Sequence, residues 1–202
     1  MRSVRAVADV RALPRTVFGH RALMWWGTLG FIIIEGTTLV ICAASYFYLR
    51  RNYPTWPPEH MYRPALLIPT IQAALMLASN IPMRLVDRAS SRMDLAGVRR
   101  GLVICSVLIV LMTILRGVEF RALNVRWDTS AYGSVAWATL TAHTTLLLLE
   151  MAETIAITVM LFGDQVEERD LSGVSDNALY WYFLTGSWIP LYIIVFLTPY
   201  FM

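Results

Sequence analysis

WWGTLGFIIIEGTTLVICAASYFYLRRNYPTWPP, residues 25–58, holds a single carboxylate, Glu35, in a run that carries no other acid or base between Arg21 and Arg50. At about 1.5 Å per helical residue such a run is long enough to cross the roughly 30 Å hydrocarbon core of a bilayer. A carboxylate at its middle is costly against lipid unless it is protonated, paired or turned towards a polar interior. The stretch therefore reads as a transmembrane helix whose Glu35 faces protein. Trp25 and Trp26 at its start, and the aromatics from Tyr46 to Tyr53 at its end, read as interface anchors.

The rest of the chain repeats this composition. Of 202 residues, 57% are hydrophobic and 15% charged, and the mean hydropathy is +0.55. That is too little charge to cover a water-soluble domain of this size. Five apolar runs follow one another, 22–49, 64–83, 101–120, 132–162 and 178–201, each of membrane-crossing length. Short polar connectors separate them, the first with Pro54, Pro57 and Pro58. Because lipid offers no partners to backbone polar groups, the expected architecture is all-α: a polytopic bundle of five transmembrane helices. An Arg-rich tail, 1–21, precedes that domain, 22–202. No internal repeat is evident, and no run reads as broken by a glycine or proline in its middle, which counts against a transporter built on discontinuous helices.

All 17 basic residues are arginine. They gather in the tail, in the second connector (Arg84, Arg88, Arg92, Arg99, Arg100) and at Arg169 of the fourth. An odd number of spans puts those segments on one side, which the positive-inside tendency makes cytoplasmic, with the C-terminus outside. Arginine placed this way serves topology, so nucleic acid is not an expected partner. The tail reads as cytoplasmic, not as a cleaved leader, since no apolar core precedes Ala22. Cys42 and Cys105, each alone in a different span, make neither a disulfide framework nor a metal motif.

Few groups remain that could carry chemistry. Arg116 and Glu119 stand three residues apart on one helical face. They read either as a membrane-edge pair in which the arginine snorkels, or as a buried structural ion pair that fixes the helix against a larger subunit. In the fourth span, His143 and Glu150 lie on nearly one face and Glu153 about sixty degrees away. Three ionisable groups in one span read as a buried polar network, with Glu35 near it; handling protons is the alternative. With His20, His60 and His143 as the chain's histidines, and no paired Glu-x-x-His motif, no metal or haem site of the chain's own is expected.

Order and spacing of several motifs together resemble subunit III of the haem–copper terminal oxidases, the cytochrome c and quinol oxidases. The motifs are Trp25-Trp26-Gly27, Glu35, Tyr46-Phe47-Tyr48 and Trp56-Pro57-Pro58, then Leu77-Ala-Ser-Asn80, Glu119-Phe120 and Tyr132-Gly-Ser134. His143 and Tyr180-Trp-Tyr-Phe183 with Trp188 complete the series, so the likeness covers nearly everything after Phe18. Leu146, Tyr182 and Thr185 stand where the family pattern has a second histidine, a closing histidine and an aspartate. Glu150 and Glu153 have no place in the pattern. A divergent, five-helix member is implied.

The resemblance implies an accessory subunit that binds no cofactor itself and packs against catalytic subunit I, and against subunit II, in a bacterial inner membrane. Haem and copper would belong to the catalytic partner. This chain would hold phospholipid in a cleft and support proton uptake, with Glu35 as the family's buried glutamate and Trp56, Trp181 and Trp188 as structural aromatics. Two alternatives stay open. One is a similar accessory subunit of a nitric oxide reductase. The other is a proton-coupled transporter using Glu35, His143, Glu150 and Glu153.

Overall fold

The computed structural model describes residues 17–163 and 166–201. The expected tail lies outside the described residues as far as position 16. A short 3-10 turn, Gly19–Arg21, leads into the first long helix. The five long helices are α1 Leu23–Arg50, α2 Leu67–Ser91, α3 Leu95–Ala122, α4 Ala131–Leu161 and α5 Glu168–Tyr192. α5 runs on through a π-helical turn, Ile193–Leu197, to a last turn at Thr198–Phe201. α1, α3, α4 and the continuous stretch Glu168–Phe201 are long and apolar enough to cross a membrane. α2 has the length, at 25 residues, and its apolar character is diluted by Asn80, Arg84, Asp87 and Arg88. The protein is an all-helical membrane protein.

Local chemistry sets several helix ends. The Asp94 side chain accepts the Gly97 N–H at 3.0 Å to open α3, and the Ser130 hydroxyl accepts the Gly133 N–H at 3.0 Å to open α4. A reciprocal capping box of Glu167 and Asp170 opens α5. These caps explain where helices outrun the apolar runs. α3 begins at Leu95, ahead of Gly101, and α5 begins at Glu168, not near Ala178. Hydropathy marks the part of a helix in hydrocarbon, while capping and propensity decide where the helix ends.

Consecutive helices run antiparallel. Ala65 N–H donates to Ala122 O at 2.7 Å, joining the start of α2 to the end of α3. The Tyr200 hydroxyl donates to Pro64 O at 2.7 Å, bringing the end of α5 to the same place. At the opposite end Arg99 Nε donates to Leu161 O at 2.6 Å, and Ser90 Oγ to Leu171 O at 2.5 Å. Close approach between α2 and α3 needs Gly101: a Cβ there would stand 2.3 Å from Val86 Cγ2. Gly133 is equally constrained, since a Cβ would stand 2.2 Å from the Arg126 carbonyl oxygen.

The core lies among α2, α3, α4 and α5, around Met76, Met83, Leu102, Ile109, Leu140, Trp181 and Trp188. α1 leans on α4 and α5 and buries only Glu35, Leu39 and Tyr46. A second small cluster caps the bundle: the Trp56 ring meets Tyr46 and Tyr132 edge-on, and its Nε1 donates to the Tyr46 hydroxyl at 2.8 Å.

Two helices carry a proline in their interior, and the expectation that no span is broken there holds for both. Pro82 lies inside α2 and Pro190 inside α5. Neither breaks its helix. Proline removes one backbone donor and crowds the preceding turn; the π-helical turn Ile193–Leu197 stands just before Pro199, where it widens the ladder ahead of that proline.

Candidate functional site

Apart from Asp176 on α5, which is buried within electrostatic reach of Glu153, the ionisable groups of the interior divide among three places. The first is deep in the bundle. Arg116 on α3 reaches Glu119 one turn further on, with Nη1 to Oε2 at 2.9 Å, and both side chains are removed from solvent. The pair therefore does not snorkel. Arg116 Nη2 also lies 3.2 Å from His143 Nδ1 on α4, and its guanidinium sits 3.7 Å from the centre of the Trp188 ring on α5. His143 Nε2 faces the Leu184 carbonyl oxygen at 3.0 Å. A carbonyl only accepts, so Nε2 carries the ring hydrogen and Nδ1 takes the Arg116 N–H. One cation thus binds three helices, with its charge balanced by Glu119 and its flat face against tryptophan.

Glu150 occupies the second place, within electrostatic reach of Glu153 and Glu35 and hydrogen-bonded to neither. It is fully buried on α4, and its Oε1 accepts from Asn177 Nδ2 on α5 at 2.8 Å and from Thr154 Oγ1 at 3.1 Å. The expected single network of His143, Glu150 and Glu153 is not what forms. His143 and Glu150 share a face, yet seven residues separate them by about 10 Å along the axis, beyond hydrogen-bond reach. Each finds partners at its own level of the bundle.

The third place is a cleft of about 460 Å³ between α1, α4 and α5. Glu35 and Glu153 both line it, with Tyr180, Phe31, Leu149 and Gly27. The Tyr180 hydroxyl donates a short hydrogen bond to Glu35 Oε2. Glu153 is exposed where Glu150 is buried, because the sixty-degree step around α4 carries it from the core to the cleft. Glu35 thus meets Glu153 across the cleft, and neither joins His143.

Of the tryptophans, Trp56 seals the bundle end as described. Trp181 Nε1 donates to Ser79 Oγ at 3.1 Å, tying α5 to α2, and Trp188 lies under Arg116. The partners that sequence reasoning missed are Tyr180, Asn177, Thr154 and Leu184. Asn177 and Tyr180, three apart on a helix entering an apolar environment, were the available signal for a polar stripe on α5. Leu146 lines a small recess with Glu35, and the Thr185 hydroxyl contacts Asn80 Oδ1 at 3.0 Å. Among the described residues no three His, Cys, Asp or Glu side chains gather as metal ligands would.

The arrangement is that of helices clamped by polar contacts, with a cleft at Glu35 and Glu153. A family model described as cytochrome c oxidase subunit III matches residues 23–200. A Synechocystis sp. protein named cytochrome c oxidase subunit 3 is 25% identical over 186 residues, covering 89% of this chain and 77% of that one. A Drosophila yakuba protein of the same name is 22% identical over 178 residues, covering 85% of this chain and 68% of that one. With the match running from the start of α1 to the last turn after α5, the chain belongs to the cytochrome c oxidase subunit III family.

Proposed function

We propose that the chain is the accessory third subunit of a haem–copper respiratory oxidase in a bacterial inner membrane. It packs against catalytic subunit I and, beside it, subunit II, which hold the haems and copper. The observation that carries this reading is the family match over residues 23–200. The interior agrees with it: Arg116, Glu119 and His143 bind one another, and Glu150 is held by Asn177 and Thr154. Such groups hold helices in place and leave electron transfer and oxygen reduction to the partner.

The cleft at Glu35 is the part with a task of its own. Its lining is apolar apart from Thr28, Glu35, Glu153 and the Tyr180 hydroxyl. A phospholipid acyl chain fits that chemistry. A carboxylic group in hydrogen-bond contact with tyrosine is placed to hold and pass protons, and so to support proton uptake by subunit I. The arginines orient the bundle. Arg84, Arg88, Arg92, Arg99, Arg100 and Arg169 lie at one end and only Arg50, Arg51, Arg63, Arg121 and Arg126 at the other, so the first end is cytoplasmic.

The test is Glu35→Gln in the assembled oxidase, followed by oxygen consumption through sustained turnover. The expected result is an initial rate near wild type with faster loss of activity or an altered dependence on proton supply. An enzyme unchanged in both respects would contradict the role given to Glu35, and a flux of protons or solute carried by the isolated chain in vesicles would favour a transporter.

A further inference from the structure

On the side of the bundle away from the Glu35 cleft, α2 and α5 enclose a recess of about 550 Å³ lined by Asn80, Ile81, Arg84, Leu85, Arg88, Tyr182 and Gly186. Arg84 and Arg88 are four residues apart, so their guanidinium groups stand on one face of α2 about one helical turn from each other. Among the described residues neither forms an ion pair with a carboxylate. Asp87, between them in sequence, is turned aside and accepts from Ser175 Oγ at 2.7 Å. The Tyr182 hydroxyl is buried at the edge of the recess and has no hydrogen-bond partner among the described residues. Gly186 leaves the α5 wall without a side chain, which makes the recess deep enough to admit a group between the helices.

Two arginines against the single carboxylate of Asp87 leave the recess with a net positive charge, and with the unused Tyr182 hydroxyl they suit an anion. The neighbouring surface specifies the kind. Leu77, Ile81 and Leu85 are all exposed and succeed one another at four-residue spacing, so a continuous apolar stripe leads from the arginines towards the middle of α2. Arg84 lies roughly 26 Å along the helix from Leu67, at about 1.5 Å per residue, which brings it to the far boundary of a roughly 30 Å hydrocarbon core. Headgroup phosphates sit at that depth. The planar, multi-donor guanidinium suits a phosphate oxygen pair.

We propose that this recess binds an anionic phospholipid, with Arg84 and Arg88 on the phosphate, the Tyr182 hydroxyl donating to a phosphate oxygen, and an acyl chain along Leu85, Ile81 and Leu77. The site is separate from the Glu35 cleft and does not depend on which complex the chain joins.

The test is native mass spectrometry of the full chain, with whatever subunits purify with it, titrated with phosphatidylglycerol. Phosphatidylcholine and inorganic phosphate serve as comparison probes. Wild type is expected to hold one more phosphatidylglycerol than R84Q/R88Q, with an apparent affinity about thirtyfold higher at that site. Phosphatidylcholine binding should be the same in both. Leu85→Trp, which fills the groove and keeps both charges, should also lose the extra lipid and decides the matter if R84Q/R88Q does not fold. Tyr182→Phe should weaken binding severalfold. Equal lipid occupancy in wild type and variants would overturn the proposal. So would full displacement by millimolar inorganic phosphate, which would mark a site for free anions, or a cross-link from position 85 to a partner subunit, which would show the face covered by protein. Failure to find an oxidase partner would leave the titration intact, so the two readings fail separately.

Discussion

Arg116 is the side chain on which most of the interior converges, since it touches Glu119, His143 and the Trp188 ring at once. Removing one member of a buried pair leaves the other charge stranded, which costs about 3–5 kcal/mol. Arg116→Met should therefore lower the unfolding temperature of the purified protein sharply, and R116M/E119L should recover much of the loss. A double variant no better than the single would show that the ion pair is not what Arg116 contributes. Asn177→Leu removes the 2.8 Å donor to Glu150 and should destabilise by about 1–3 kcal/mol, read in the same melting experiment. At this scale the sequence was half legible. Glu35 stood out as the lone carboxylate of its span, and Arg116 with Glu119 as a pair one turn apart. Their other partners did not stand out, because Tyr180 is 145 residues from Glu35 and His143 is 27 from Arg116. Periodicity reports which face a residue occupies and not the level at which another helix meets it, so His143 and Glu150 looked like one network and form two.

Among the elements, the contact of α2 with α3 depends on a missing side chain. Gly101→Val would place atoms into Val86, whose Cγ2 already lies 2.3 Å from an added Cβ, and the expected cost of forcing that packing is about 1–3 kcal/mol. Gly133→Ala meets a backbone carbonyl oxygen, which cannot swing away as a side chain can, so it should disturb the start of α4 and its Ser130 cap. Thermal melting with helix content by circular dichroism checks both, and an unchanged melting temperature in Gly101→Val would refute the close approach. All five helices could be read from apolar runs because lipid demands length and hydrophobicity together. Their ends could not. Arg84, Asp87 and Arg88 interrupt the apolar run of α2 without interrupting its helix, and the polar first turns of α5 are helical through the Glu167 and Asp170 capping box. Pro190 likewise sits in a helix that continues, with a π-helical turn behind it.

For the molecule as a whole, the proposed topology rests on the uneven arginines and the proposed role on the family match. Topology can be tested with Cys42 and Cys105 replaced by serine and single cysteines placed at position 92 or position 128, at opposite ends of the bundle. A membrane-impermeant maleimide added to intact cells should label Asp128→Cys and spare Arg92→Cys; the reverse pattern would invert the bundle. Membership of the subunit III family was legible before any coordinates, from motifs spread across the chain. The open cleft and the recess at Arg84 and Arg88 were not, since each is made by two or three helices that sequence leaves unplaced relative to one another. A chain that works as part of an oxidase should be found with its catalytic partner. The direct measurement is purification of the tagged chain from its own membrane in mild detergent, with a reduced-minus-oxidised optical spectrum and mass identification of the chains that accompany it. Haem bands together with a large polytopic catalytic subunit are the predicted result. A colourless protein, alone or bound only to copies of itself, would contradict the claim.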